Sequence, residues 1–344
     1  MRQHDRSRLG QDQAALRHAM TSSASAASPA SAAVPPNWID NRHPLGRLIA
    51  LLLAVEPLRR LMFLQARRLI IRTAEGRGIA WRARRQVLQQ QAQPLLAASR
   101  NPHTGTPTYY RARFHAYQQG NLCWQAACEA EQATDAMALR VWPDEALTPS
   151  QAQQRLRQAI FAAIEPSLQG RPLRDALDLG CSVGVGTLAL KHWLEQRQQA
   201  AVNVQGLDLS PEMLAVARVR DAGQEIHTWH HAAAEATGLP DACMDLITLQ
   251  FVCHELPAAA TRAVLAEAFR LLRPSGVIAL VDQDPGSAVI RRLPAPIATL
   301  LKSTEPYLED YFRLDLPAAL AEAGFQAVRG EACDPRHRVL VAVR

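Results

Sequence analysis

An acidic residue and three small residues surround a predicted turn between an apolar strand and a helix in residues 176–190 (ALDLGCSVGVGTLAL). The acid is Asp178, and the small residues at alternating positions are Gly180, Ser182 and Gly184. Small residues let backbone N–H groups approach a ligand closely, and the start of a helix attracts polar and anionic groups. We therefore interpret the segment as a cofactor-binding loop, and we expect a bulkier residue at Gly180 or Gly184 to block it.

The spacing of these glycines fits two kinds of cofactor loop. Residues 184–189 (GVGTLA) match the dinucleotide fingerprint G-x-G-x-x-A, and Asp208 follows at the distance expected of its ribose-binding acid. Asp178 gives a different pattern, D-x-G-x-S-x-G, in which a carboxylate braces a glycine loop that binds a nucleoside-methionine cofactor. Because a single G-x-G-x-x-A match is weakly specific, the sequence favours the second interpretation.

Four blocks in the second half of the chain follow the order typical of one enzyme family. They are residues 178–184 (DLGCSVG), 206–214 (GLDLSPEML), 234–240 (AEATGLP) and 272–276 (LRPSG). Together they resemble class I S-adenosylmethionine-dependent methyltransferases, of the type 11 group that includes the ubiquinone and menaquinone C-methylating enzymes. The resemblance covers about residues 150–344 and implies S-adenosylmethionine as the cofactor, bound by the glycine loop.

Four further segments resemble a cyanobacterial and plastid-type subgroup of this family. They are residues 114–127 (FHAYQQGNLCWQAA), 249–257 (LQFVCHELP), 303–307 (STEPY) and 334–338 (DPRHR). The resemblance names no substrate for the subgroup.

A nucleoside site is expected after the second predicted strand. Asp208 ends this strand, and its two carboxylate oxygens could accept hydrogen bonds from both ribose hydroxyls. Met213, on the first turn of the next helix, would pack against adenine or contribute to the helix core. Ala234 and Glu235 lie in the block where the family places an acid near the adenine amino group. Since the usual position of that acid is Ala233 here, adenine recognition is expected to use backbone groups.

Residues 250–255 (QFVCHE) follow the fourth predicted strand, where the family places the reactive methyl group, with Gln250 on the cofactor side. His254 and Glu255 form a titratable pair in this stretch. Because histidine has an ordinary pKa of about 6.5, His254 is a candidate base if the methyl acceptor must lose a proton. The same two residues could equally begin the next helix as capping or packing residues. Asp282, after the fifth strand, borders the same cleft and could orient a hydroxyl or amine of the acceptor.

Aromatic side chains are concentrated in residues 106–149, just before the first predicted strand. The resemblance implies that segments in this position fold over the cofactor and contact the substrate. Tyr117 is therefore a candidate substrate contact, although packing between helices explains the same aromatics equally well. We interpret His115 as a buried or hydrogen-bonded residue rather than as a base.

Strand and helix patterns alternate after residue 150, as they do in a parallel sheet. The predicted strands are 176–180, 202–208, 226–231, 244–250 and 276–282, followed by two terminal strands at 326–331 and 338–343. The predicted helices are 185–199, 211–221, 258–272 and 315–323. The pattern predicts an α/β fold, a Rossmann-like seven-stranded methyltransferase sheet with helices on both faces and a terminal antiparallel hairpin.

The N-terminal part divides into two segments by composition. Residues 1–43 are rich in Ser, Ala, Pro and Gln and predict a disordered arm. The arm also has the composition of an organelle transit peptide, but we favour a bacterial chain in which Met20 could be the true start. Residues 44–149 are predicted to form a basic helical extension and a possible substrate lid, and residues 150–344 the methyltransferase domain.

The basic part of this extension lies within residues 58–85, which hold nine arginines and one acid, Glu75. Such an amphipathic helix could lie on an anionic membrane surface, or it could be the solvated face of helices that cap the domain. The apolar run 45–55 is far shorter than the ~20 residues needed to span a bilayer. Aromatic residues for base stacking are sparse around the arginines, so a nucleic-acid partner is not favoured.

The composition of the chain is that of a globular enzyme, with 344 residues of which 48% are hydrophobic and 20% charged. Its six cysteines form no C-x-x-C pair and no Cys/His spacing suited to zinc. We therefore expect reduced, mostly structural thiols, a cytoplasmic location and no metal site.

The sequence as a whole predicts a methyltransferase that acts on a small acceptor, apolar or aromatic in character, with a membrane quinol or prenylated phenol as the sharpest hypothesis. Two alternatives remain open. The fold could bind the cofactor and serve as a non-catalytic assembly or regulatory module, or the loop could belong to an NAD(P)-dependent oxidoreductase.

Overall fold

Helices make up the N-terminal part of the computed structural model, which describes residues 35–36, 38–39, 44–112, 114–115, 117 and 119–344. They are α1 (Pro44–Ala54), α2 (Glu56–Gly76), α3 (Trp81–Ala92), α4 (Leu96–Ser99) and α5 (Trp124–Val141). Helices therefore occupy much of the predicted extension, residues 44–149. Short 3₁₀ turns lie at Gln93–Leu95 and Thr108–Arg111.

A sheet of seven strands forms the C-terminal part, in the order β3-β2-β1-β4-β5-β7-β6. Its strands are β1 (Asp175–Leu179), β2 (Asn203–Asp208), β3 (Thr228–His231), β4 (Met244–Gln250), β5 (Leu272–Gln283), β6 (Gln326–Ala332) and β7 (His337–Val343). The first five strands are parallel, and β7 runs antiparallel between β5 and β6. The predicted seven-stranded sheet and its terminal hairpin are confirmed.

Eight helices are interleaved with these strands or precede them. They are α6 (Pro149–Leu168), α7 (Val185–Gln198), α8 (Pro211–Arg220), α9 (Ala258–Leu271), α10 (Ala288–Arg291), α11 (Ala295–Thr304), α12 (Leu308–Arg313) and α13 (Leu316–Glu322). A further 3₁₀ turn lies at Cys253–Glu255.

Alternate strand residues pack on opposite faces of the sheet, because side chains point to opposite sides along a strand. In β4, Leu246 belongs to the core that contains α6, α7 and α8, whereas Ile247 belongs to the core that contains α9, α12 and α13. Both side chains are fully buried. Helices therefore cover both faces, and the carboxyl ends of the parallel strands meet at one edge where a ligand can bind.

The N-terminal helices pack on elements near that edge. α1 packs against α11, α3 and α4 pack against α8, and α5 contacts both α6 and α8. Most of the predicted arm, residues 1–43, lies outside the described residues. Within it, Trp38 and Ile39 are buried, and the indole N–H of Trp38 donates to the carbonyl oxygen of Ile290 at 2.7 Å.

Several arginines of the basic segment 58–85 pair with acids of α5. Arg67 and Arg85 both pair with Glu129 of α5, whose side chain is fully buried, and Arg84 pairs with Glu131 at 2.9 Å. These ion pairs join α2 and α3 to α5, so part of the positive charge of the segment is neutralised within the fold. None of the helices described in the structure is long and apolar enough to cross a membrane.

Candidate functional site

The glycine loop connects the end of β1 to the start of α7. Gly180 and Gly184 have φ angles of +72° and +77°, in the left-handed region that favours glycine. The amide of Gly180 donates to the carbonyl oxygen of Leu207 at 2.8 Å, which fixes the loop to β2.

The space around the two glycines bears on the prediction that a bulkier residue would block the loop. A Cβ atom at Gly180 would lie 2.5 Å from the Val252 side chain, and one at Gly184 would lie 2.6 Å from the Trp229 ring. A bulkier residue would therefore first collide with these side chains. Substitution would displace the loop, because both positions are also held in a left-handed conformation.

Asp178 braces the loop from beneath. Its carboxylate accepts hydrogen bonds from the hydroxyls of Thr187 and Thr248, each at 2.7 Å, and from the Gln250 amide at 3.2 Å. Burial raises the pKa of Asp178, while these hydrogen bonds and the nearby Arg157 act in the opposite direction. Arg157 donates to the Gln250 amide oxygen, so the network joins β1, β4, α6 and α7.

Asp208 lies beside the loop at the end of β2. One carboxylate oxygen accepts from the amide of Ser182 at 2.8 Å, and the other accepts from the amide of Ser210 at 2.8 Å. The Ser182 hydroxyl donates to the Met213 sulfur at 3.4 Å, which places that side chain next to the loop. Burial raises the pKa of Asp208 to about 6, with further contributions from Glu255 and Asp178.

A cavity of about 550 Å³ opens above these residues. Its polar wall includes Asp178, Gly180, Ser182, Asp208, Met213 and Gln250. The volume falls in the range of ordinary small-molecule sites. Since each oxygen of Asp208 uses one lone pair on a backbone amide, each retains another for a ribose hydroxyl. The residues present therefore fit the nucleoside part of S-adenosylmethionine.

Not every predicted site residue borders the cavity. Met213, Gln250, Tyr117, His254 and Glu255 line it. The described residues of the cavity wall do not include Gly184, Ala234, Glu235 or Asp282. Glu235 instead accepts a hydrogen bond from the Tyr109 hydroxyl at 2.6 Å.

Asp282 acts on the site through His254. Its carboxylate accepts from the backbone amide of His254 at 3.1 Å and pairs with the imidazole Nδ1 at 2.8 Å. Burial lowers the pKa of His254, but the Asp282 carboxylate, together with Glu305 and Glu255, more than offsets this and raises the pKa to about 9. The imidazole is thus oriented with its Nε2 atom available to the cavity.

Tyr117 is fixed at the cavity wall by charged neighbours. Its hydroxyl donates to the buried Glu129 carboxylate at 3.1 Å, and the Arg67 guanidinium lies 5.4 Å from its ring centroid. The ring therefore supplies an apolar surface to the cavity, while the hydroxyl is engaged elsewhere.

Segments that are distant in the sequence meet beside His254. The Glu255 carboxylate accepts from the Asn121 amide at 2.8 Å and from the Tyr110 hydroxyl at 3.1 Å. His115 pairs through Nε2 with Glu305 at 3.0 Å. Three of the four subgroup segments, 114–127, 249–257 and 303–307, thus converge at one end of the cavity.

Sequence reasoning missed Asn121, Glu305 and Arg157 as site residues. The only signal for the first two was their position inside segments 114–127 and 303–307, since neither lies at the end of a parallel strand. Arg157 lies in α6 among helix-core residues, and its contact with Gln250 depends on packing of that helix against the sheet.

Comparison with known proteins identifies the family. A methyltransferase domain model matches residues 177–280. A malonyl-[acyl-carrier protein] O-methyltransferase of Serratia marcescens is 38% identical over 119 residues, which are 34% of this chain and 41% of the relative. An uncharacterized methyltransferase of Synechocystis is 30% identical over 158 residues, which are 46% of this chain and 69% of the relative.

Among solved structures, an O-methyltransferase described as putative from Nostoc punctiforme aligns with a TM-score of 0.48 at 17% identity, over 75% of this chain and 69% of the other. The match to the Serratia enzyme spans less than half of that enzyme's length.

The match to the Synechocystis relative extends over more than two thirds of that protein, and the family model falls on β1 to β5, the strands that carry the glycine loop and Asp208. The cofactor of this family is S-adenosylmethionine, which decides between the two interpretations of the loop. The chain belongs to the class I S-adenosylmethionine-dependent methyltransferases.

Proposed function

We propose that this protein transfers the methyl group of S-adenosylmethionine to a small apolar or aromatic acceptor of the quinol or phenol type. The observation that carries the proposal is a single cavity in which the cofactor loop adjoins a largely apolar wall. The acceptor and the cofactor would share this cavity.

The apolar wall is built by helices outside the sheet. It includes Phe63, Ala66 and Ile70 of α2, Ala130, Ala133 and Met137 of α5, and Ile297, Leu300 and Leu301 of α11. An acceptor with an apolar body gains about 25 cal/mol for each Å² that it buries against such side chains. A strongly charged acceptor would lose its hydration along the same wall.

The polar end of the cavity lies next to the cofactor loop. It carries His254 and Glu255, with Tyr110 and Asn121 hydrogen-bonded to the latter. We propose that His254 and Glu255 contact the acceptor's polar group and that Tyr117 contacts its apolar body. Asp282 positions His254 for this contact. The base role predicted for His254 requires an Nε2 atom free of its proton.

Methyl transfer from a sulfonium is an in-line displacement, in which the acceptor atom forms a bond to carbon as the bond from carbon to sulfur breaks. A hydroxyl acceptor also releases its proton, and the cofactor leaves as neutral S-adenosylhomocysteine. Holding the acceptor close to the methyl group supplies much of the acceleration, because it replaces a bimolecular encounter by a fixed geometry.

We also propose that the N-terminal helices contact a membrane peripherally. Leu48 and Leu51 of α1 are 53% and 68% exposed, and Arg68 and Arg72 of the next helix, α2, are also exposed. The sequence indicated that the arginines of 58–85 would provide the membrane contact. Because several of these arginines pair with acids of α5, the membrane proposal now depends more on the exposed leucines of α1.

The first test is calorimetric titration of the full chain with S-adenosylmethionine, S-adenosylhomocysteine and NAD. We expect both sulfur nucleosides to bind, NAD not to bind, and Asp208→Ala to lose binding. Asp241→Asn is the matched control, because Asp241 is an exposed acid that pairs with Arg270 outside the cavity.

The second test measures transfer of a labelled methyl group to phenolic and quinol extracts. Turnover on these extracts supports the proposed acceptor class. Binding without turnover on any extract would instead favour a non-catalytic cofactor-binding module, and absence of binding to the folded chain would overturn the proposal.

A further inference from the structure

Two histidines and a glutamate surround one point at the polar end of the cavity. One ligand atom from each of His115, His254 and Glu305 lies within 4.8 Å of the other two. We propose that these three side chains bind a divalent transition-metal ion of the zinc, manganese or iron class. The three residues come from segments far apart in the sequence, which is why no metal-ligand spacing is visible there.

The orientation of both imidazoles is that of metal ligands. Nδ1 of His254 is held by the Asp282 carboxylate at 2.8 Å, and Nδ1 of His115 is held by the Asn121 amide oxygen at 3.0 Å. Metal-binding histidines usually donate their second ring nitrogen to a carboxylate or carbonyl oxygen in this way, which fixes the tautomer. The Nε2 atoms remain as the ligand atoms.

Glu305 supplies a carboxylate that lacks sufficient partners without an ion. Its side chain is only 6% exposed, and its Oε1 atom lies 3.0 Å from Nε2 of His115. Among the described residues, its buried Oε2 atom has no hydrogen-bond partner. A buried carboxylate oxygen without a partner is costly, and coordination of a cation would remove that cost.

The backbone conformation at His115 is strained. Its φ angle is +52°, in the left-handed region that is strained for a residue other than glycine. Its amide donates to the carbonyl oxygen of Thr304 at 2.8 Å, one residue before Glu305. The loop is therefore fastened to the end of α11 at the point where the two proposed ligands meet.

The donor set indicates the kind of ion. Imidazole nitrogens suit zinc, iron and other first-row transition metals, whereas magnesium and calcium prefer all-oxygen sites. Two histidines and one carboxylate leave coordination positions open for other ligands. Glu255 lies near, with Oε1 3.4 Å from Nε2 of His115.

The role of the ion depends on the proposed function. The site borders the cavity that also contains the cofactor loop, so an acceptor hydroxyl could occupy an open position. Coordination favours the ionised oxygen and releases its proton to solvent, as zinc does for water. In that arrangement His254 is a ligand rather than the proton acceptor.

Metal binding is tested without the methyl-transfer reaction. The full chain, stripped with a chelator, is titrated with Zn²⁺ by calorimetry, and with Co²⁺ while the visible absorption of the ion is recorded. We expect one ion per chain, and a cobalt spectrum that changes when catechol is added as a phenolic probe.

Variants assign the ligands. His115→Ala and Glu305→Gln should weaken binding by more than about 100-fold, and Asp282→Asn by about 10- to 100-fold through loss of the outer hydrogen bond. His192→Ala is the matched control. His192 is an exposed histidine of α7 that pairs with Glu225, in the loop after α8, and it is not one of the proposed ligands. Circular dichroism of each variant checks that it is folded.

The outcomes separate this inference from the proposed function. Absence of metal binding overturns the metal site. Binding that survives in both His115→Ala and Glu305→Gln also overturns it, because surface histidines would then account for the bound ion. S-adenosylhomocysteine binding is measured on the same samples. Binding of S-adenosylhomocysteine without metal binding would leave the methyltransferase proposal intact. Metal binding without S-adenosylhomocysteine binding would leave the metal site intact.

Discussion

Asp208 is the residue at which cofactor affinity should depend most on pH. Burial raises its pKa to about 6, and only the ionised carboxylate has the full capacity to accept ribose hydroxyls. Cofactor affinity should therefore fall as the pH drops through about 6. The contribution of Asp208 to folding stability has the opposite pH dependence. Because its pKa is raised in the folded state, the folded chain takes up its proton at a higher pH than the unfolded chain, and stability from this group rises as the pH falls through about 6.

Calorimetric titration with S-adenosylhomocysteine between about pH 5 and about pH 8 measures this effect. Asp208→Asn should bind about 100-fold more weakly at neutral pH, since two charge-assisted hydrogen bonds contribute about 1.5 kcal/mol or more each. The variant should also lose most of the pH dependence below neutrality. An unchanged slope in the variant would show that another group titrates.

Gly184 should be sensitive to a single added methyl group. Gly184→Ala combines a left-handed backbone at φ +77° with a Cβ atom 2.6 Å from the Trp229 ring. Strain of about 1–3 kcal/mol and overpacking of similar size should together lower the free energy of unfolding by about 2–6 kcal/mol. Urea denaturation measures this loss.

Gly238→Ala is the matched control for that variant. Gly238 has a similar φ angle of +73°, but no heavy atom lies within 4 Å of an added Cβ. Its cost should be limited to the backbone strain. Equal losses in both variants would mean that Trp229 moves aside freely, and the packing argument for the loop would fail.

At the level of secondary-structure elements, Glu129 is the residue that joins the N-terminal helices. Its fully buried carboxylate accepts from Arg67 of α2, Arg85 of α3 and the Tyr117 hydroxyl. Glu129→Gln would leave these donors with one neutral partner in a buried position. Breaking a fully buried ion pair costs about 3–5 kcal/mol, and the cost here should lie below that range because Arg67 and Arg85 are 21% and 46% exposed.

This cost should appear as a lower midpoint of urea unfolding and as faster proteolysis in residues 58–85. Glu145→Gln is the control, because Glu145 pairs with Arg155 at a site where both side chains are 45% exposed. An exposed pair of that kind contributes about 0–1 kcal/mol. Similar losses in both variants would contradict a central role for the buried pair.

The sequence predicted elements with their own periodic pattern far better than contacts between them. The strands of residues 150–344 were identifiable because apolar runs alternate with helical segments, and the glycine loop because its small residues have a local conformational cause. Glu305 could not be assigned to the site, since its position depends on packing of the loop at His115 against α11. The ion pairs of Arg67 and Arg85 with Glu129 could not be predicted for the same reason, because the sequence of an arginine-rich helix does not show which acids its side chains will meet.

At the scale of the whole molecule, the exposed leucines of α1 give the membrane proposal its sharpest test. The face of α1 that contacts α11 is covered, whereas Leu48 and Leu51 are more than half exposed. Each fully buried leucine gains about 1.5–3 kcal/mol, so insertion of these two into the lipid interface should dominate binding. The double change Leu48→Glu and Leu51→Glu should reduce sedimentation with anionic vesicles by at least about 10-fold.

Val87→Glu on α3 provides the control, because Val87 is a comparably exposed apolar residue, 51% accessible, outside α1 and α2. Cofactor binding should be unchanged in both proteins, since none of these residues lines the cavity. Addition of salt should weaken vesicle binding only in part, because the apolar contribution is not screened whereas the arginine contribution is. Vesicle binding that is abolished by salt but unaffected by the leucine changes would place the contact on the arginines instead, and a loss of self-association in the double variant would indicate that α1 contacts a second copy of the chain.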